Sequence, residues 1–474
     1  MMMGGVSKNE MEDRNQILRN IPQVEKLLQA EEISRFFGEI GRSAVAGAVR
    51  DVLAETRSRA EKGEPVDLDA IIPAVVARCR MKRRDKLQRV INGTGVIIHT
   101  NLGRSPIGAD ILKKLASDCS GYCNLEYDLA ELKRGRRGGF AEELLRGLAG
   151  ADDALIVNNN ASSVFLILNE FARGREVIVS RGELVQIGGG FRLPDIMRES
   201  GAFLVETGTT NITTVDDYRR AISVNTSMIF SCHRSNFTME GFTESPSLRD
   251  LASLKGEGII FVRDLGSGNL TPDRRYAPNF EPTVRSEIEQ GPDLVCFSGD
   301  KLLGGCQAGI IVGDKDLVGR LRKNPLMRML RVDKITYYIL QETLVRHVNG
   351  EDDAIALRRI MRQDTKSIGA RINRFLRLIE DPEGRKMLKK TATVGTIGGG
   401  AMPGFRMESL GLQVDIPGMG ADAIYEALAG AEVPLIGVIA DGRFTIDFSA
   451  ILDDDVAAAA TAVNGLIAVH RGGR

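Results

Sequence analysis

The chain has 474 residues, in which 63 Lys and Arg balance 63 Asp and Glu, with six Cys and no Trp. That length supports two or three domains around a sizeable core, while the balanced charge excludes a global positive field, so any nucleic-acid site must be a local patch. The cysteines lack metal-ligand spacing, and no apolar signal core follows Met1-Met2-Met3-Gly4-Gly5. No apolar run reaches the length of a membrane span either, so disulfides, zinc and membrane insertion are not expected and a cytoplasmic location is.

From Leu18 to about Arg84, apolar residues recur at helical spacing: Val24, Leu27 and Leu28, then Ile33, Phe36, Phe37 and Ile40, then Val45, Val49, Val52 and Leu53. Gly63-Glu64-Pro65 breaks this pattern. A further helix is predicted from Leu68 to about Arg80, running into a basic stretch of Arg78, Arg80, Lys82, Arg83, Arg84, Lys86 and Arg89. On charge alone the stretch reads as a solvated helix face. Residues 1–85 are therefore assigned to a helical N-terminal domain.

From Arg89 to about Arg331, short apolar runs alternate with amphipathic stretches, the pattern of a mostly parallel sheet covered by helices. Residues 86–335 form this large α/β domain. Its first chemical feature is the strand Ala154 to Val157, the polar turn Asn158-Asn159-Asn160-Ala161-Ser162-Ser163, and the helix Val164 to Phe171. Free N–H groups at a helix start, with hydroxyls beside them, suit an anion such as a phosphate, which makes Asn160, Ala161 and Ser162 candidates. A plain N-cap is the simpler alternative. Next, the strand Met228 to Cys232 ends in His233, a ring able to stack over a pyridine, although a lone His is more often structural.

The strand Gly258 to Val262 leads to Asp264, which is expected to open a loop, either as a turn residue capping its own backbone or as a carboxylate for a ring nitrogen. The run Leu294-Val295-Cys296 then leads to Phe297-Ser298-Gly299-Asp300-Lys301-Leu302-Leu303-Gly304-Gly305. Small residues around Lys301 leave room for a ring, and a lysine there can condense with an aldehyde as a Schiff base. Ser298 stands beside it. A phosphate turn, a stacking ring, a carboxylate and a lysine at successive strand ends point together to pyridoxal 5'-phosphate (PLP). Farther on, Arg328 and Arg331 are three apart and share one face if helical. Residues 336–474 read as helical segments, a Gly398-Gly399-Gly400 loop with no phosphate role, strands at Val433 to Ile439 and Arg443 to Phe448, and a terminal Ala-rich helix, a small α+β domain.

Several runs carry a resemblance: Leu18 to Leu28, Ile91 to Pro106, Tyr122 to Asp128, Ser180 to Gly189, Ser298 to Gly305 and Met329 to Lys334. Together they resemble bacterial selenocysteine synthase, the L-seryl-tRNA(Sec) selenium transferases, and the order of strand ends is similar to the large domain of fold-type I PLP enzymes. The family's pattern is departed from at Cys306, read as a small apolar filler, and at Ser162 and Ser163. The resemblance implies a fold-type I PLP-dependent transferase that converts seryl-tRNA(Sec) to selenocysteinyl-tRNA(Sec) through a PLP-bound aminoacrylate, with selenophosphate as selenium donor. It further implies that Lys301 and Asp264 are catalytic, that Arg104, Arg328 and Arg331 hold the donor anion, and that the N-terminal domain meets the tRNA. A homo-oligomer of dimer units, with a decameric ring as the suggested size, is implied as well. The alternative is a similar PLP lyase acting on a small amino acid or amino sugar acid, for which the helical N-terminal section would not be required.

Overall fold

The structure is a computed structural model that describes residues 16–187, 190–272 and 281–472. Met1 to Gly5, and Gly188 and Gly189 of the fourth run above, lie outside the described residues. Two compact units are present, one extending to Arg89 and one starting at Val90.

In the first unit the helical spacing predicted from the sequence closes a core of its own. Val45, Val49, Val52 and Leu53 on Arg42–Glu61 (α1) are buried with Ile71, Val75 and Cys79 on Ile71–Arg84 (α2), over Leu27, Leu28, Ile33 and Phe36. The second helix starts at Ile71 rather than Leu68, because the Asp67 carboxylate accepts the Asp69 N–H at 2.9 Å and holds that segment in a turn. On α2 the basic side chains stay outside the core. Arg78 pairs with Glu55 at 2.9 Å and Arg83 with Glu39 at 3.0 Å, while Arg80 and Arg84 are exposed.

The second unit is built on seven strands: Asp153–Val157 (β1), Glu176–Ser180 (β2), Phe203–Thr207 (β3), Thr226–Cys232 (β4), Ile260–Gly266 (β5), Leu294–Ser298 (β6) and Gly309–Gly313 (β7). Their order across the sheet is β1-β7-β6-β5-β4-β2-β3, parallel except for β7, which runs antiparallel to both its neighbours. Strands β4, β6 and β7 are buried along their whole length, which is why they read as continuous apolar runs rather than alternating ones. Helix Asn160–Phe171 (α3) covers one face. Helix Lys334–Asn349 (α4) packs Tyr337, Leu340 and Leu344 into the core of the other face, against Ile156, Phe297 and Ile310.

Beyond α4, a four-stranded antiparallel sheet contains Leu388–Gly395 (β8), Met407–Val414 (β9), Val438–Ala440 (β10) and Arg443–Asp447 (β11), in the order β8-β9-β11-β10. Thr365–Arg377 (α5) and Val456–Gly472 (α6) cover it, and the Phe375 and Phe448 rings meet edge to face at 5.3 Å between centroids. Strands β8 and β9 have no counterpart in the sequence reading: half of the edge strand β8 is exposed, and Lys389 and Lys390 blur its alternation. The expected strand Val433 to Ile439 is divided at Gly437. Leu435–Ile436 pairs with Ile91–Asn92, whereas Val438–Ala440 joins the four-stranded sheet. Among the described residues no helix is long and apolar enough to cross a membrane.

Candidate active site

The carboxyl ends of β1, β4, β5 and β6 meet around one cavity of about 230 Å³, lined by Asn160, Ala161, His233, Asp264, Ser298 and Lys301 among others. Asp264 is not in a loop as the sequence suggested. Strand β5 continues to Gly266 because β4 and β6 both pair with it through Asp264, opposite Cys232 and Cys296, before a register shift. That places the carboxylate on the floor of the cavity. Burial pushes its pKa above the ordinary carboxylate value, opposed by a hydrogen bond from Asn160 and by the charge of Lys301. The Asn160 side-chain amide donates to Asp264 Oδ1 at 2.8 Å, so Asn160 orients the carboxylate with its side chain while its backbone N–H is left for an anion.

The polar turn works as follows. Asn159 caps α3, its side-chain oxygen accepting the Ser162 N–H at 2.9 Å. The N–H groups of Asn160 and Ala161 have no acceptor among the described residues and belong to residues that line the cavity. Unpaired amides of this kind, at the start of a twelve-residue helix, suit an anion. Ser162 does not line the cavity. Ser163 is buried behind it, and its hydroxyl oxygen has no partner among the described residues.

Lys301 lies just past β6 in a tight loop closed by Gly304 N–H to the Lys301 carbonyl at 2.9 Å and Gly305 N–H to the Gly299 carbonyl at 3.0 Å. Below it, His347 on α4 makes a 2.8 Å hydrogen bond with the Leu303 carbonyl. Burial lowers the pKa of the Lys301 amine, with Asp264 opposing, so the neutral, nucleophilic form is favoured relative to a surface lysine. Its Nζ donates to the Gly400 carbonyl at 3.3 Å. Gly400 has φ +75°, and a Cβ there would come within 3.0 Å of Nζ, so the turn leaves a cradle that any larger residue would invade.

His233 lines the same cavity, its backbone N–H held by the Asp264 carbonyl at 2.8 Å. Its Nδ1 is 3.2 Å from Glu281 Oε1 but misaligned, so neither atom has a hydrogen bond. Beneath the floor, Arg263 bonds Glu287 at 2.6 Å and Ser231 Oγ at 2.7 Å, and Ser231 in turn donates to Glu183 at 3.1 Å. Glu183 also accepts the Cys232 N–H at 2.9 Å, which fixes the strand end that carries His233. Burial pushes the Cys232 and Cys296 thiols well up and Cys306 up to about 12, which disfavours the thiolate form in all three.

The three arginines divide. Arg104 reaches the cavity from a left-handed backbone position, φ 62°, and bonds Asp300 at 2.8 Å. Arg328 and Arg331 do not line it. The helix Met327–Leu330 ends before Arg331, whose extended backbone turns its side chain toward Glu126 at 3.5 Å, so the two do not share a helical face. Their segment nevertheless adjoins the polar turn, since the Leu330 carbonyl accepts the Asn158 N–H at 3.0 Å. Sequence reasoning missed Asn159, Asp300, Gly400 and His347. Asn159 had a cap signal, but the other contacts join segments far apart in the chain.

A buried lysine, a carboxylate on the floor, a ring at the wall and unpaired amides at a helix start form a donor set that fits an aldehyde-bearing, phosphorylated pyridine. Comparison with known proteins bears on the same point. Residues 90–452 match the family model described as L-seryl-tRNA selenium transferase, and residues 18–57 match the selenocysteine synthase N-terminal model. The chain belongs to the L-seryl-tRNA selenium transferase family. It is 42% identical over 464 residues to the L-seryl-tRNA(Sec) selenium transferase of Geotalea uraniireducens, covering 95% of this chain and 99% of that protein. The proteins of the same name from Geobacter sulfurreducens and Aquifex aeolicus are each 40% identical, over 95% and 93% of this chain and 99% and 96% of theirs. Among solved structures, D-glucosaminate-6-phosphate ammonia-lyase matches with a TM-score of 0.57 at 17% identity, over 82% of this chain and 99% of that one. This match shows the fold alone, the fold-type I architecture.

Proposed function

We propose that the protein converts seryl-tRNA(Sec) to selenocysteinyl-tRNA(Sec), using PLP as cofactor and selenophosphate as selenium donor. The observation that carries this reading is the meeting of Lys301, Asp264, His233 and the free first-turn amides of α3 in one cavity, in a chain of this family. PLP, when bound, supplies an electron sink for the pair released from the substrate Cα.

Lys301 would hold the cofactor through its aldehyde carbon. Asp264, fixed by Asn160, would keep the ring nitrogen protonated, and a positive ring nitrogen offsets the cost of keeping that buried carboxylate ionised. The Asn160 and Ala161 amides, with Ser298, would take the phosphate, and His233 would stack on the ring. When not engaged by the cofactor, the Lys301 amine would be the base placed to take the Cα proton of the seryl ester. The proton taken from Cα can pass to the hydroxyl, which leaves as water as the Cβ–O bond breaks. The selenium, its Se–P bond cleaved by water with release of phosphate, would then form the Cβ–Se bond, and the Lys301 ammonium would return a proton to Cα. Arg104 would steer the donor anion from the cavity wall, with Arg328 and Arg331 at its margin.

The N-terminal helical unit, with its basic exit along α2, is the part of the chain that the chemistry does not need, and we assign it to the tRNA. A homo-oligomer built from dimers and a cytoplasmic location complete the reading, the former checked by mass measurement in solution. A gel-shift comparison of seryl-tRNA(Sec) with bulk seryl-tRNA tests the substrate. Preference for seryl-tRNA(Sec) is expected; no binding to either, with turnover of a small amino acid or amino sugar acid, would make the protein a lyase instead.

A further inference from the structure

A second cavity, of about 380 Å³, lies beside the one that holds Lys301, and Ser235 lines both. Gly400 stands on the border: its carbonyl takes the Lys301 Nζ hydrogen bond, and its turn lines the second cavity with Gly398 and Gly399. All three glycines are left-handed, with φ of 72°, 58° and 75°, and none of their N–H groups has an acceptor among the described residues. Phe237 and Phe405 add partly buried rings to the wall. Arg406 completes it. Its exposed guanidinium has no carboxylate partner among the described residues, and it also lines an open groove along the edge strand β8 with Lys366, Ala392 and Val394.

We propose that this second cavity receives the terminal nucleoside of the aminoacyl-RNA, and that Arg406 contacts the phosphate before it, at the mouth of a path along the groove. The inference rests on the function proposed above. A seryl ester whose Cα sits at Lys301 must continue, within a few bonds, into a ribose, and the hollow contiguous with Lys301 across Gly400 is where that ribose falls. A nucleoside needs a flat apolar surface for its base, donors for its sugar and ester oxygens, and a cation for its phosphate. Phe237 and Phe405, the three unpaired amides and Arg406 supply these in turn. A free amino acid would need none of them. The Gly398–Gly400 turn, a plain loop by sequence, is thereby the divider between the reacting serine and the nucleoside that carries it.

The test uses the full-length holoenzyme and a 5'-fluorescent CCA trinucleotide bearing serine through a 3'-amide, with affinity read by anisotropy. Serinamide, followed by the change it causes in cofactor absorbance, reports separately on the Lys301 cavity. Arg406→Gln is expected to weaken the trinucleotide by about tenfold or more while leaving the serinamide response unchanged. Lys386→Gln, in a different hollow of the small sheet, is expected to bind both as the wild type does. Unchanged trinucleotide affinity in Arg406→Gln overturns the proposal. A variant that loses affinity for inorganic phosphate alone overturns it too, and makes the cavity a site for small anions. If the wild type responds to neither serinamide nor the trinucleotide, the proposed function itself falls, and this inference with it.

Discussion

The carboxyl edge of the large sheet and the N-terminal helical unit carry charge in opposite ways. Around the cavity, charged groups are buried or partly buried and held by fixed hydrogen bonds: Asp264 by Asn160, Arg263 by Glu287, Arg104 by Asp300. On α2, by contrast, Arg80 and Arg84 lie exposed, and the ion pairs of Arg78 and Arg83 with Glu55 and Glu39 are open to solvent. Buried groups act through position, because each has few, fixed partners and a large desolvation cost if one is lost. Exposed ones act through their sum, which salt screens and which tolerates the loss of any single member. The first arrangement suits a reaction at one atom; the second suits a long polyanion.

The sharpest break of that contrast is Lys301→Ala. It is expected to abolish turnover and the visible absorbance of lysine-bound cofactor while the far-ultraviolet circular dichroism stays unchanged, since no other lysine among the described residues lines the cavity. An active, yellow variant would remove the lysine from the mechanism. Asp264→Asn comes next: it should still bind PLP but lose about 10² or more in kcat, the scale of a lost electrostatic partner in a buried site. Wild-type rates in that variant would mean another carboxylate serves the ring nitrogen.

On the other side of the comparison, removing residues 1–85 should leave a chain that binds PLP but has lost its tight, salt-sensitive affinity for tRNA(Sec). Binding of both forms at two salt concentrations measures this; equal affinity would move the RNA site onto the second unit. The smallest effect concerns stability. Burial holds the His347 pKa down to about 4, against 6.5 ordinarily, so the unfolded chain takes up a proton there before the folded chain does. The stabilisation from the neutral ring is complete above about pH 6.5 and lost as the pH falls toward 4, about 3 kcal/mol in all. His347→Gln should flatten that part of the urea-unfolding profile; a variant with the wild-type pH dependence would show that His347 titrates normally.

How much of this was legible in the sequence depended on distance along the chain. Lys301, Asp264 and His233 announce themselves because each follows a continuous apolar run, the mark of a strand buried on both faces. The start of α3 was legible as a candidate anion site, but not the division of labour within it: the Asn160 side chain bonds Asp264, and nothing local in Asn158-Asn159-Asn160 says which amide turns to which strand. Gly400 and His347 escaped for the same reason. Their contacts to Lys301 and Leu303 are made from segments whose own sequence signals only a turn and a helix. The edge strand β8 was hidden by its exposure, since a strand that buries little shows little period.

The central claim is that this site exchanges a seryl hydroxyl for selenium on tRNA. It is tested most directly by incubating the PLP-loaded protein with tRNA(Sec) charged with radiolabelled serine, with and without selenophosphate, and identifying the amino acid released from the tRNA. The account predicts labelled selenocysteine only when selenophosphate is present, and none with Lys301→Ala. Labelled serine alone, recovered under all conditions from active holoenzyme, would contradict it.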